Sequence, residues 1–260
     1  MAKTRYPELD LDLSFSPIAC AEPRAFTQDQ IRHYNSQGYV AGIPLFAGDE
    51  LAQLAEDCRT SRDGLGDELN PHAHIGWVHD LARRDNLQPY LQDLIGPNII
   101  CFVSEYINKP PGSEKEVVGH QDAAFNAMDA RSVIVWVAVE DADTGNGCMW
   151  FCPGSHLGGA LDVEDPKGNL NASAAAVDEA GSTYGKVPIE LRAGQAVFFS
   201  DLMIHISPRN TSATRSRPAI TFTFTSAETV VHPHPAARHE PILCGGASGG
   251  GHWDLLPRPE

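Results

Sequence analysis

The spacing of apolar positions along the chain changes character near residue 98. Upstream it is helical. Thr27 and Gln30 stand in capping-box order, and Ile31, Tyr34 and Val40 follow, which predicts a short helix leading into a strand. A second helix is expected over 49–62. Leu81, Leu87, Leu91, Leu94 and Ile95 predict one amphipathic helix over 80–95, stopped by Gly96-Pro97. Downstream, β-branched and aromatic residues gather into short runs at 98–107, 117–122, 132–139, 148–152, 195–200, 203–207 and 219–225, separated by turn-forming clusters. In the last run a period of two puts Ile220, Phe222 and Phe224 on one face and Arg217, Ala219, Thr221 and Thr223 on the other. The first face suits a core; the second, small and polar, suits a cavity wall.

Helices followed by strands predict an α+β domain in which N-terminal helices brace one side of an antiparallel sandwich or barrel, with a jelly roll as the expected form. Residues 1–260 read as one domain, with an extended lead-in over 1–26 and an irregular tail over 227–260. The segment 158–188 is polar, rich in Ala and without a period. A loop of that length in a compact domain is usually functional, so it is expected to border the active site.

A formal charge of −15 with no Lys/Arg block disfavours phosphate backbones, so nucleic acid is not an expected partner. No apolar run reaches transmembrane length and no leader segment is evident, so no membrane partner is expected and a cytoplasmic location follows by default. The six cysteines are scattered, and Cys148 and Cys152 find no second pair to complete a zinc site, so packing roles are expected for them.

The sharpest chemical signal is His120-Gln121-Asp122, where strand alternation puts the imidazole and the carboxylate on one face with Gln121 turned away. His205, in a later apolar run, supplies a second imidazole. Two histidines and one carboxylate suit iron(II), because they fill one face of an octahedron and leave three positions open, although other metals accept such ligands. Ten and twelve residues after His205 stand Arg215 and Arg217, candidate partners for the distal carboxylate of 2-oxoglutarate. Parity does not separate them; Arg217 is preferred because it adjoins the strand proper. His72, His74 and His79 cluster ahead of the barrel and are read as lining the substrate entrance or lying on the surface.

At these residues the chain resembles the phytanoyl-CoA dioxygenase family of iron(II)/2-oxoglutarate oxygenases. The likeness runs through Gly38-Tyr39-Val40, Lys109-Pro110-Pro111-Gly112-Ser113, His120-Gln121-Asp122, Asn146-Gly147, Pro153-Gly154-Ser155-His156, and His205-Ile206-Ser207 with Asn210. The resemblance implies a cupin-like double-stranded β-helix with iron on His120, Asp122 and His205, and the 2-oxoglutarate C5 carboxylate on Arg217. It also implies Trp136 and Asn108 in contact with the co-substrate, Ser207 assisting Arg217, and a structural role for His156. It departs at Gly119, where the family usually carries an aromatic residue. The expected activity is hydroxylation of a small soluble molecule, an amino acid derivative or secondary metabolite, with O2 as co-substrate and release of succinate and CO2. Desaturation, epoxidation or rearrangement by the same cofactor chemistry, or a catalytically silent metal-binding homologue, are the alternatives. Asp122 fills the position that related halogenases leave to chloride, which disfavours halogenation. Nothing in the sequence addresses the oligomeric state.

Overall fold

A computed structural model describes residues 3–61, 69–163, 174–234, 237, 239–247 and 250–260. Its strands are β1 (Tyr39–Pro44), β2 (Ile99–Lys109), β3 (Val117–His120), β4 (Val133–Ala138), β5 (Met149–Phe151), β6 (Val187–Ile189), β7 (Gln195–Ser200), β8 (His205–Ser207), β9 (Arg217–Ser226) and β10 (Ile242–Gly245). They form two antiparallel sheets, ordered β1-β7-β4-β9-β2-β10 and β3-β8-β5-β6. This is the jelly roll that the strand pattern predicts and the double-stranded β-helix that the resemblance implies.

The period of two divides the larger sheet into two environments. On its outer face Val133 and Val135 of β4, Phe198 of β7, and Ile220, Phe222 and Phe224 of β9 join one buried cluster with Ile31, Tyr34, Leu54 and Leu91. Those last four come from helices α1 (Gln28–Gln37), α2 (Gly48–Thr60) and α4 (Gln88–Ile95). On the inner face Ile134 and Trp136, with Val197, Phe199 and Ala219, pack against Met149, Phe151 and Ile189 of the smaller sheet. Large side chains buried on both faces contribute roughly 1.5–3 kcal/mol each relative to exposure, which fixes the register of the sheet.

Helix α1 starts at the expected capping box, with Gln30 N donating to Thr27 Oγ1 and Thr27 N donating to Gln30 Oε1. It ends at Gly38, whose φ of 86° lets its N–H reach Tyr34 O at 2.7 Å. The single helix expected over 80–95 is instead two, α3 (Gly76–Ala82) and α4. Pro89 in the first turn of α4 cannot donate to a preceding carbonyl and its ring would clash there, so the helix must begin afresh. Two other expectations also need correction. The segment 158–188 carries β6 and a further helix, α5 (Ala174–Tyr184). The tail is not all irregular surface: Ile242 and Cys244 are buried where β10 pairs with β2, and Trp253 is buried against Phe102. Isolated apolar residues among glycines leave no pattern for a sequence window to find. No helix among the described residues is long and apolar enough to cross a membrane.

The histidine cluster ahead of the barrel is structural in its arrangement. His72 is fully buried, with Nδ1 2.7 Å from Ser104 Oγ on β2 and Nε2 2.7 Å from the Glu240 carbonyl. The neutral ring thus ties the segment before α3 to both β2 and the tail. His79 is also buried, whereas His74 lies outside and meets Glu240 Oε1 at 3.3 Å. The surface reading of the cluster therefore holds only for His74.

Burial pushes the His72 pKa down to about 4 from an ordinary value of 6.5. The unfolded chain therefore binds the proton first, and the stability held above about pH 6.5 is lost progressively toward pH 4. Urea unfolding should show the protein about 2 kcal/mol less stable at pH 5 than at pH 7 through this group. His72→Asn should lower stability at pH 7 and flatten that pH dependence; an unchanged slope would remove His72 from the acid response.

Candidate active site

His120, Asp122 and His205 meet at one end of the smaller sheet. Pairing of β3 with β8 sets His120 opposite His205, with ring centroids 4.1 Å apart. The strand ends at His120, earlier than expected, but Gln121 stays extended and Asp122 opens a 3-10 turn, so the alternation persists across all three residues. Gln121 turns away, as expected. Its Nε2 donates to the carbonyls of Leu202 (2.6 Å) and Gly159 (3.0 Å), and its Oε1 accepts from Leu161 N (2.7 Å). Asp122 Oδ1 lies 3.4 Å from His120 Nε2 and 3.9 Å from His205 Nε2. Among the described residues this is the one group whose ligand atoms all lie within 4.8 Å of one another.

Each imidazole is oriented by its own strand. His120 Nδ1 is 2.9 Å from Val118 O and His205 Nδ1 is 3.0 Å from Met203 O. Both rings donate there, which leaves both Nε2 lone pairs facing Asp122. Burial, aided by the charge of His120, pushes His205 down to about 4. Burial also opposes a charged His120, but the Asp122 carboxylate together with the Val118 carbonyl and Glu105 outweighs it and raises that pKa. Against its own burial, Asp122 is held below the ordinary carboxylate range by His205 and His120. A donor set of two oriented imidazoles and an ionised carboxylate fits iron(II), with three positions left open.

The larger sheet brings a cation to the same cavity. Arg217 opens β9 and is 1% exposed. Its Nε and Nη1 have no hydrogen-bond partner, and Nη2 reaches Ser207 Oγ only at 3.5 Å. The guanidinium lies over the Trp136 ring, 5.2 Å from its centroid. A buried guanidinium with unpaired donors costs several kcal/mol unless an anion joins it, so the pocket fits a carboxylate. Arg215 is already spent: it forms a two-pronged pair with Asp143 at 2.6 and 2.9 Å on the surface.

Trp136 and Ser207 face this cavity, but Asn108 does not. In the β2–β9 register Lys109 stands opposite Arg217, Glu105 opposite Thr221, and Asn108 opposite Pro218. Asn108 therefore shares the outer face with Tyr106 and Ile220. The irregularity between Cys101 and Val103 reverses the parity of β2 partway along, which sequence alternation cannot detect. Three inner-face residues that sequence reasoning passed over as site members are Glu105, Lys109 and Thr221, whose Oγ1 is buried without a partner. The period of two along β9 already puts Thr221 on this wall and Lys109 lies in a family motif, whereas Glu105 carries no signal in the sequence. A separate cleft of about 550 Å³, lined by Phe15, Tyr34, Leu94, Ser132 and Asp201, contains neither the triad nor Arg217.

Residues 59–219 match the sequence profile of phytanoyl-CoA dioxygenase (PhyH). The chain is 38% identical over 210 residues to phytanoyl-CoA dioxygenase domain-containing protein 1 of Danio rerio, covering 78% of this chain and 68% of that protein. It is 32% identical over 146 residues to the peroxisomal phytanoyl-CoA dioxygenase of Homo sapiens, covering 54% of this chain and 43% of that one. The chain thus spans less than half of the human enzyme. In fold it is similar to EctD from S. alaskensis, solved with 2-oxoglutarate and 5-hydroxyectoine, with a TM-score of 0.77 at 17% identity over 96% of this chain and 94% of that one.

The departure at Gly119 has a physical reason. Helix α5 packs on β3 there, and a Cβ on residue 119 would stand 2.4 Å from Val177 Cγ2 and 2.9 Å from Val177 Cγ1. A side chain larger than hydrogen beside His120 would push the helix off the metal strand. Gly119→Ala should therefore raise amide hydrogen exchange in α5, at a cost of about 1–3 kcal/mol. Gly119→Ala combined with Val177→Ala should recover most of that protection; additive losses in the double variant would disprove the contact as the cause.

Proposed function

Because the chain belongs to the phytanoyl-CoA dioxygenase family of iron(II)- and 2-oxoglutarate-dependent oxygenases, we propose that it hydroxylates a small molecule, with His120, Asp122 and His205 holding the iron and Arg217 the co-substrate. The observation that carries this reading is the pairing of the triad with a buried, under-bonded guanidinium in one barrel. Either feature alone has other uses. Both together match a co-substrate that chelates at one end and carries a carboxylate at the other.

When bound, iron(II) and 2-oxoglutarate supply the O2 activation that inserts one oxygen atom into a C–H bond and the other into succinate, with loss of CO2. The chain's own residues set the geometry for that chemistry. Arg217, whose Nε and Nη1 are without partners, would donate to the C5 carboxylate, with Ser207 beside it and the Trp136 ring flanking the guanidinium. His120 and His205, fixed through Nδ1, would present Nε2 at constant angles, and Asp122 would complete the face while keeping its charge. Holding the reacting groups in this way removes most of the entropy that an encounter in solution would lose.

The surroundings favour a compact substrate with an exposed hydrocarbon portion. Phe125, 38% exposed, packs edge-on to His120 at 5.9 Å, and Val118 beside it on β3 is 42% exposed. The CoA thioester in the relatives' names is not carried over, because a chain charge of −15 opposes a polyanionic handle. An amino acid derivative or secondary metabolite remains the substrate class that fits.

Anaerobic titration of iron(II)-loaded protein with 2-oxoglutarate should produce a weak visible charge-transfer band. Asp122→Ala should abolish the band. Arg217→Ala should shift the half-saturation to at least about tenfold higher 2-oxoglutarate, whereas Arg215→Ala should leave it unchanged. A folded, iron-loaded wild type with no band would sink the co-substrate assignment, and an equal response of the two arginine variants would sink the choice between them.

A further inference from the structure

Lys109 opens a second question about the same pocket. It is fully buried, at 0% exposure, and stands opposite Arg217 in the pairing of β2 with β9. Its Nζ donates to Ser207 O at 2.8 Å, to Ser207 Oγ at 2.7 Å and to Pro208 O. Ser207 Oγ also lies 3.5 Å from Arg217 Nη2. Two buried cations therefore converge on one hydroxyl. The carboxylates that favour their charges are Glu105, acting on Arg217, and Glu116, acting on Lys109.

Such an arrangement is unfavourable in isolation. Burial together with the neighbouring Arg217 brings Lys109 down to about 7, which registers the mutual repulsion. A single guanidinium suffices to grip a carboxylate by two parallel hydrogen bonds. The ammonium adds something different, because its three N–H groups are committed to β8 and it cannot point one at a ligand. Its effect must pass through charge and through Ser207. By donating to Ser207 Oγ it takes one lone pair of the hydroxyl, while the hydroxyl's own hydrogen faces Gly147 O at a loose 3.2 Å. That hydrogen is the one group on Ser207 free to turn toward an incoming anion.

We infer that Lys109 is a positioning residue of the 2-oxoglutarate pocket, a second cation that holds Ser207 as a donor beside Arg217 and selects for a co-substrate with a distal carboxylate. The inference rests on the reading of Arg217 as the anchor. It makes Lys109 specific for the far end of the co-substrate and indifferent to the chelating end.

The test compares 2-oxoglutarate with 2-oxovalerate, which keeps the chelating end and lacks the distal carboxylate, by anaerobic charge-transfer titration of iron(II)-loaded protein. Lys109→Met should weaken 2-oxoglutarate about tenfold and leave 2-oxovalerate within about twofold. Lys109→Gln retains a donor for the carbonyls of Ser207 and Pro208 without the charge; it should give the same split and carries the test if the Met variant fails to fold. In a Ser207→Ala background the effect of Lys109→Met should shrink to less than about threefold, since the two act as one unit. Equal weakening of both acids, or unchanged affinity for 2-oxoglutarate, would overturn the inference. Absence of the band in wild type would instead defeat the parent assignment.

Discussion

The antiparallel register of β2, β9 and β4 is the constraint on which the site depends. One row across the inner face reads Glu105, Thr221, Trp136, and the next functional row reads Lys109, Arg217. A slip of one residue would exchange these for Tyr106, Ile220 and Val135 and turn the cavity wall into the helix-facing core. Three phenyl or isoleucine side chains on β9 alone resist that slip, since exposing each would cost roughly 1.5–3 kcal/mol. The polar inner face is thus held in place by the apolar outer face of the same strands, and the chemistry inherits its precision from packing on the opposite side of the sheet.

The same economy explains where polar groups are left unsatisfied. Arg217 Nε and Nη1 and Thr221 Oγ1 are buried without partners, while Gln121, Asp93 and Asn210, comparably enclosed, are bonded at several points. Asp93 accepts from three successive backbone N–H groups at Arg24, Ala25 and Phe26 and so anchors the lead-in; Asn210 closes the turn before β9. A fold able to satisfy those groups and not these reserves the latter for a partner that arrives later. Not every such atom is functional. The buried Asn108 Oδ1 and both ring nitrogens of His79 are also without partners, away from the cavity row, and the structure offers no ligand-based reason for them.

The fold and the metal triad were legible in the sequence because both follow from periods short enough to see locally. Alternation placed His120 and Asp122 together and separated Arg217 from Phe222 without any knowledge of pairing partners. Register was not legible. Asn108 entered through the family resemblance, and the register with β9 puts Lys109 on the inner face in its place; the irregularity at Cys101/Val103 means that alternation along β2 alone does not reveal this. Helix α5 and strand β10 were missed for a related reason: each is held by contacts distant in sequence, at Gly119 and at Cys101 respectively, and neither has a strong pattern of its own. Gly119 itself was visible as a departure, but its meaning lay in Val177, 58 positions away by the numbering.

The triad and Arg217 are carried by different sheets, so the distance between them is not set by any one strand. It is set by what fills the space between the sheets. Phe199 of the larger sheet lies 5.1 Å from His205 and 4.9 Å from Phe151, and Phe151 on the smaller sheet lies 6.2 Å from His205. His205 is thereby wedged between aromatic rings from both layers. A smaller side chain at either position would let the sheets approach or tilt and change the span from Asp122 to Arg217. A co-substrate that must reach both ends at once converts such a shift into lost affinity even when every polar residue is intact. Under the proposed function, the hydrophobic layer would therefore be part of the co-substrate's fit, and the polar residues alone would not define the site.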